Sequence, residues 1–590
     1  MKNRLTFIPH SLRMTLLALL TILASVPMWG ETSDVKSNVD YLCFTAEEAG
    51  STISFMQAGG NYGSGSVKTS IDGTTWTDYT LNTEIKLQKI GDKVYFKGNY
   101  HGSFEDYSKF FMTGKIAASG NIMTLTDGDS PTTSLKGERG TFFSLFKNCT
   151  SLTTAPELSA TTLTMGCYYD MFKGCTSLTT VPDLPATVLT EGCYGSMFED
   201  CESLKKEPKL PAKKLADGCY NNMFKGCTSL ATAPELPATI LANSCYSSMF
   251  EGCTSLKKVP NLPAIALANH CYSYMFKDCT SLTTATELPI TTLAESCYSK
   301  MFSGCTSLRE APNLPATTLI ENCYNNMFYG CTALTKAPEL PATVLVEGCY
   351  YQMFQGCTAL KKAPELPANT LVDDCYNNMF YGCTALTKAP ELPATVLANG
   401  CYYQMFQGCT ALEKAPELPA KTLADGCYNS MFYGCTALTT APELPATVLT
   451  DGCYYQMFQG CTALEKAPEL PAKTLAGNCY LGMFAHCENL DYIKVAFTNW
   501  GSDDFATLVW TNNVASTGTF VCPEGLAKEY GEDRIPKGWT VISSTQEATG
   551  IENATPTLSE DEGNTYNLAG KKVGKDYKGI VIMNGKKMIK

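Results

Sequence analysis

Apolar and polar positions along the middle of the chain recur with a strict step of 26 residues. In the unit from Cys193 to Leu215, the positions Cys193, Met197, Phe198, Cys201, Leu204, Leu210 and Leu215 are apolar or cysteine. The same columns stay apolar in nearly every unit, while Thr, Lys, Glu, Asn and Ser dominate between them. These columns predict an inward face. A fixed step of this size predicts a solenoid in which each unit is one coil stacked on the next.

Local signals predict two elements per coil. Cys-Tyr-x-x-Met-Phe-x places apolar residues at i, i+4 and i+5 and predicts a helix of about two turns. Two residues before the first cysteine stands an acidic or amide residue, such as Glu191, Asp217, Asn243 or Asp373, which suits a helix start. Just before the second cysteine stands Gly174, Gly226 or Gly252, or by exception Asn148, Asp200 or Asp278. These residues tolerate a left-handed backbone and predict the helix stop. Leu-x-x-Ala/Val then predicts a short strand, ended by a proline column from Pro156 to Pro468, because proline cannot donate to a ladder. The expected fold class is an α/β solenoid: a leucine-rich-repeat-like curved array of about 14 coils, each a short strand plus a two-turn helix. Its expected length is on the order of 65 Å. One coil buries too little apolar surface to offset the ordering of its backbone, so stacking is obligatory and both ends need caps.

The flanks read differently. Residues 1–30 carry Lys2, Arg4 and Arg13 before the apolar run Met14 to Met28, the pattern of a secretory signal peptide. Residues 31–140 alternate short β-branched runs with turns at Asp72-Gly73 and Gly91-Asp92, which predicts an N-terminal β-sandwich-like domain. The stretch Ser70 to Trp76 resembles an Asp-box but is one residue short, and is read as a tight hairpin with a packed tryptophan. Residues 141–490 are the solenoid. Residues 491–545, with Phe497, Trp500, Trp510, Phe520 and Trp539, suit a C-terminal cap; a sugar platform is the competing reading. Residues 546–565 hold five acidic residues and no basic one and read as an acidic flexible linker. Residues 566–590 read as a short C-terminal β module.

Charge and composition narrow the function. The net charge of −12 argues against nucleic acid as a partner. No segment beyond the signal is apolar enough to cross a membrane, so membrane contact is expected only through surface attachment. Only four histidines occur, and no Ser-His-Asp arrangement, HExxH, phosphate loop or paired catalytic carboxylate emerges, so an enzyme is not expected and no cofactor or metal is implied.

The 29 cysteines fall into two columns: fourteen from Cys149 to Cys487 and thirteen from Cys167 to Cys479, with only Cys43 and Cys522 outside. Zinc wants closer pairs. Two cysteines flanking a two-turn helix would lie roughly 12 Å apart, beyond the roughly 7 Å reach of a disulfide. Bridges across the return segment or between neighbours in one column stay open. Buried free thiols packing as small hydrophobes are the preferred reading.

The motif Met-Phe-x-Gly-Cys-Thr-Ser/Ala-Leu, repeated every 26 residues across 141–490, resembles that of the BspA-like leucine-rich-repeat surface proteins, widespread in Bacteroidetes. The resemblance implies a secreted or outer-surface protein that binds host matrix proteins or mediates adhesion, and an anaerobic habitat that permits free thiols. The tail is similar to type IX secretion sorting modules. The expected function is a ligand-binding or adhesion scaffold toward host or microbial surface macromolecules, with a protein or glycan partner; the alternative is a structural spacer or coat component. Oligomeric state is not legible. The residues expected to face a ligand are the variable pair after Cys-Tyr: Tyr169, Tyr274, Asn325, Asn326, Tyr351, Gln352, Asn377, Asn378, Tyr403, Gln404, Tyr455 and Gln456. The sequence from Cys323 to Leu345 returns letter for letter from Cys375 to Leu397, a duplication of a coil pair.

Overall fold

The computed structural model describes residues 39–57, 65–105, 107–137, 139–501 and 505–549, with 565–567, 573, 578, 580–583 and 586–589. The expected signal peptide at 1–30 and residues 550–564 of the expected linker lie outside the described residues.

The N-terminal strands form two sheets. Strands β1 (Leu42–Ala46), β3 (Val67–Ser70), β4 (Thr77–Asp78), β6 (Lys93–Gly98) and β8 (Ile116–Ser119) make the larger, in the order β4-β3-β6-β1-β8. Strands β2 (Ser51–Gln57), β5 (Glu84–Leu87) and β7 (Ser108–Thr113) make the smaller, in the order β5-β2-β7. Alternating inward residues meet between them: Phe44 packs on Phe96 and Phe110, and Phe55 on Phe110, with centroids 4.6–5.6 Å apart. A single turn of helix, α1 (Thr124–Asp127), follows β8. The loop after β3 is organised by Asp72, whose Oδ1 accepts the Thr74 and Thr75 N–H groups at 2.8 and 2.7 Å. Trp76 lies half-buried against Tyr41, with Lys97 over its ring at 4.2 Å.

Both sheets run on into the repeats. β8 pairs in parallel with β9 (Leu152–Thr154), the strand of the first coil. On the other side the Phe110 N–H of β7 donates to the Leu145 carbonyl, and the Phe110 ring stacks on Phe146 at 5.2 Å. The sandwich therefore supplies a template for each wall of the first coil.

Within the array the expected helix is absent, and this is a correction. Cys-Tyr-x-x-Met-Phe-x folds as a run of interlocked tight turns. In the coil at Cys349, the N–H groups of Cys349, Tyr351, Met353, Gln355 and Cys357 each donate to the carbonyl three residues back. The residues between them, Tyr350, Gln352, Phe354 and Gly356, donate to Cys375, Asn377, Met379 and Tyr381 of the next coil at 2.7–3.2 Å. Every fourth residue is left-handed: Gly348, Gln352 and Gly356 have φ of 59°, 53° and 73°. That is the third position of every second turn, where a type II turn needs positive φ; the third residues of the turns between, Tyr350 and Phe354, are not left-handed. The sequence follows this period of four, with Cys-Tyr, Met-Phe and Cys as inward steps and Gly, Asn, Asp or Ser at most outward corners. Over nine residues a period of four and one of 3.6 differ by about a quarter of a turn, so spacing alone does not separate them. The turn spiral prevails because half of its N–H groups join neighbouring coils, which a helix cannot do.

The residue two before the first cysteine is accordingly no helix cap. Asp217 and Asp373 accept the N–H of Asn243 and Asn399, one coil on, at 2.9 and 3.0 Å. The column before the second cysteine is left-handed at Asn148, Asp200 and Asp278 as well as at its glycines, but it marks the last turn of the spiral. The short strand shrinks to single parallel bridges, as in Lys362↔Lys388↔Lys414↔Thr440, and Pro-x-Leu-Pro returns the chain.

At the far end, β10 (Tyr492–Lys494), β11 (Thr519–Cys522) and β12 (Thr540–Ser543) extend the ladder in parallel. Left-handed Val509 and Asn513, four apart, show that the turn spiral continues once more inside the cap. The cap aromatics Phe497, Trp500, Trp510, Phe520 and Trp539 are buried, which removes the sugar-platform reading. Helix α2 (Ser544–Thr549) carries Glu547, which hydrogen-bonds Tyr492 and pairs with Lys494 at 3.1 Å. The start of the expected linker, 546–549, is thus tied to the array. Strands β13 (Thr565–Asn567), β14 (Ile580–Met583) and β15 (Lys586–Ile589) form an antiparallel sheet of their own.

Candidate functional site

The interior is a set of side-chain columns one coil apart. Tyrosines from Tyr168 to Tyr480 stack with neighbouring centroids 5.6–6.1 Å apart and planes within 10°. Phenylalanines from Phe146 to Phe484 stack likewise at 5.2–5.8 Å with planes within 12°. Offset stacking of this kind adds to the burial of each ring. Tyr100 stacks on Phe142 at the start of the first column, and both columns end on the buried indole of Trp510.

All 29 thiols are free and buried. The column before Thr has a defined partner: Cys175, Cys331 and Cys357 each place Sγ 3.1 Å from the carbonyl oxygen of Phe146, Phe302 and Phe328 in the preceding coil. A thiol is a small hydrophobe with a weak S–H donor, so cysteine fills the column and caps a buried carbonyl at once. Burial pushes the Cys331 and Cys383 thiols up to about 12. Protonated thiols are poor nucleophiles and poor metal ligands, and among the described residues no three metal-ligating side chains gather.

Polar and aromatic side chains reach the surface on two outer faces. The first is the return face, where successive Pro-x-Leu-Pro segments enclose grooves of about 450–580 Å³. Lys362, Pro364 and Glu365 with Lys336, Pro338 and Glu339 line one of them. Their lysines and glutamates stand in two parallel exposed columns.

The second face is the outside of the turn spiral, which holds the residues singled out from sequence. Asn326, Asn377 and Asn378 are buried there, and Tyr169, Tyr274, Asn325, Tyr351, Gln352, Tyr403, Gln404, Tyr455 and Gln456 are half-buried. The asparagines largely satisfy one another: Asn326 Nδ2 donates to Asn325 Oδ1 at 2.6 Å, and Asn325 Nδ2 to Asn322 Oδ1 at 3.0 Å. Burial, then Asp374 and Tyr403, raises the Tyr351 hydroxyl.

Four residues on from the first member of that pair stands a further column, absent from the residues expected to face a ligand. Toward the N-terminus it is charged and paired between coils: Lys173–Glu199 at 2.8 Å, Lys225–Glu251 at 3.3 Å and Lys277–Glu251 at 2.9 Å. The hydrogen bond to Glu251 raises Lys277. From Tyr329 onward it is neutral, alternating Tyr329, Gln355, Tyr381, Gln407, Tyr433 and Gln459. That strict alternation is the one sequence signal that marks it.

A ladder of buried leucines, cysteines and aromatics, with parallel strand-like bridges between many neighbouring coils, defines a leucine-rich-repeat solenoid. The family described as the BspA type leucine rich repeat region matches between residues 143 and 508, more than half of the chain, and the chain belongs to that family. No curated protein matches it. Among solved structures, the crystal structure of a TLR13-ssRNA13 complex is 11% identical, with 68% of this chain and 47% of that chain covered and a TM-score of 0.21. This chain thus spans about half of that one, and at such a score the likeness carries no argument.

Proposed function

We propose that the protein is a secreted or surface-attached scaffold that binds a protein or glycan ligand along its array, as an adhesin does. The observation that carries this reading is the separation of roles within each coil. Cys, Tyr, Met, Phe, Cys and Leu are held in unbroken buried columns, while chemical variation is confined to outward positions such as Tyr351, Gln355 and Lys362. Members of the family are typically found at the cell surface or secreted, which fits the leader-like residues 1–30; the C-terminal module at 566–590 would then serve export. Half-buried tyrosines and amides give rigid, hydrogen-bonding contact area. The test is surface-plasmon-resonance screening of the full chain against host matrix proteins and immobilised glycans. Binding to none of them at high protein concentration would sink the proposal.

A structural spacer is the second reading, favoured by the verbatim return of Cys323–Leu345 at Cys375–Leu397. It expects that removing any 52-residue pair shortens the array without loss of function. A scaffold with a localised face responds differently according to which pair is removed.

A further inference from the structure

We propose that the two neutral columns between Asn325 and Gln459 bind a neutral, hydroxyl-rich polymer: a glycan whose two-sugar repeat spans two coils. The inference rests on the scaffold reading and gives its ligand a chemical class.

Two columns of this face alternate in opposite phase. Tyr351 and Tyr403 fall in the coils that carry Gln355 and Gln407, and Tyr329 and Tyr381 fall in the coils between. Each of these two glutamines therefore has a tyrosine four residues before it and one in each adjoining coil. The backbone keeps them in register, since Gly330 and Gly356 donate to the Gln355 and Tyr381 carbonyls at 2.7 Å. The result is one aromatic-walled amide in every second coil.

One atom of each amide is unsatisfied. The Oε1 atoms of Gln355, Gln407 and Gln459 are buried without a hydrogen-bond partner, although buried acceptors are normally paired. The terminal torsion of glutamine is broad, so each amide can turn its oxygen outward to a donor. The same column nearer the N-terminus shows the contrast: Lys173, Lys225 and Lys277 neutralise Glu199 and Glu251 between coils, and that stretch needs nothing more.

The missing partner must donate hydrogen bonds, offer apolar patches to tyrosine rings and carry no charge. A pyranose does all three, with hydroxyls at its edge and C–H groups on its faces. A chain with net charge −12 repels polyanions. Ring spacings of 5.9 Å at each of the two interfaces between the coils of Gln355 and Gln407 put these glutamines about 12 Å apart at the depth of the tyrosine column. An extended chain of linked sugars presents alternating faces on this scale, which accounts for a period of two coils.

The experiment is isothermal titration of the full chain with neutral β-1,4-linked glucan and mannan oligosaccharides of two to eight sugars, with heparin as the charged comparison. The expected result is binding of a neutral series with affinity rising as further coil pairs are engaged. Y351A/Y403A and Q355L/Q407L should each weaken it about tenfold or more with unchanged melting temperature, and K225A should leave it unchanged. Preference for heparin, or neutral binding indifferent to the tyrosine and glutamine changes, overturns the inference. If a matrix protein binds while no neutral glycan does, this inference falls and the scaffold reading stands; if nothing binds, both fall.

Discussion

The Sγ of Cys357 lies 3.1 Å from the backbone carbonyl oxygen of Phe328, one coil earlier, and donates its S–H to it. That carbonyl already accepts the Cys331 N–H from its own coil, so the thiol occupies its second lone pair. Cys357→Ala should cost about 1–3 kcal/mol through the vacated volume and the weakened carbonyl, read as a lower urea midpoint. A cost near zero would show that the S–H···O contact and the column packing contribute nothing.

Free thiols make a second expectation countable. The native protein should resist a thiol-specific chromogenic reagent, because every cysteine is buried. After denaturation without reductant, 29 thiols should titrate. A markedly smaller number would mean that columns are bridged.

Alkaline pH should unfold the array. Burial raises the Cys331 and Cys383 thiols from an ordinary 9.0 to about 12. Below pH 9 both folded and unfolded chains hold these protons, and the full stability is present. Between 9 and 12 the unfolded chain loses protons first, so stability falls by about 1.4 kcal/mol per pH unit for each such thiol. With two columns of thiols, thermal midpoints followed by circular dichroism should drop steeply above pH 9. A flat profile to pH 11 would contradict the buried-thiol arrangement.

Left-handed corners differ in how much room they have. Gly356 has φ of 73°, and an added Cβ would sit 3.6 Å from the Gly330 Cα, an ordinary contact. Gly304 has the same φ, but its Cβ would stand 2.1 Å from Asp278 Oδ1. Gly356→Ala should therefore cost about 1–2 kcal/mol of conformational strain. Gly304→Ala should cost more, and Asp278→Gly in the same chain should bring it back to the Gly356→Ala level. Equal single-mutant costs by denaturant titration would show that the Asp278 side chain yields without penalty.

Trp510 closes both aromatic columns, 6.3 Å from Tyr480 and 6.1 Å from Phe484, with its indole N–H on the Arg534 carbonyl at 2.9 Å. Trp510→Ala should cost about 3–5 kcal/mol. The loss should be local: hydrogen exchange should quicken at Tyr480–Cys487 and stay unchanged near Cys349. Uniform loosening along the array would argue against a capping role.

Much of the frame is legible in the sequence because burial is written in residue type. Met197, Phe198, Cys201, Leu204, Leu210 and Leu215 are all buried, and an apolar side chain held at a fixed step through many coils is what a continuous core requires. The turn spiral is not legible, because Cys-Tyr-x-x-Met-Phe fits a period of 3.6 or four, and the destination of each N–H is not encoded in apolar spacing. The Tyr194 column is hidden because tyrosine is at home both inside and out; only stacking from coil to coil commits it inward. The coil inside the C-terminal cap is hidden because Thr507 and Val509 replace the aromatic and small residues that mark the spiral elsewhere. On the candidate face, the Asn325 and Tyr351 column stands out by variation. The Gln355 column needs the structure, since an orphaned acceptor is a property of its neighbours.

The coil-to-coil hydrogen bonds have a mechanical consequence. Tyr350, Gln352, Phe354 and Gly356 all donate along the stacking direction, so tension applied between the two ends loads one such set at every interface, in series. The weakest interface yields first and shields the rest. Each coil set free adds 26 residues of slack, about 90 Å when drawn out. A chain anchored at one end and attached through its outer face would lengthen in steps under flow, dissipating force coil by coil before its bond to the ligand is strained.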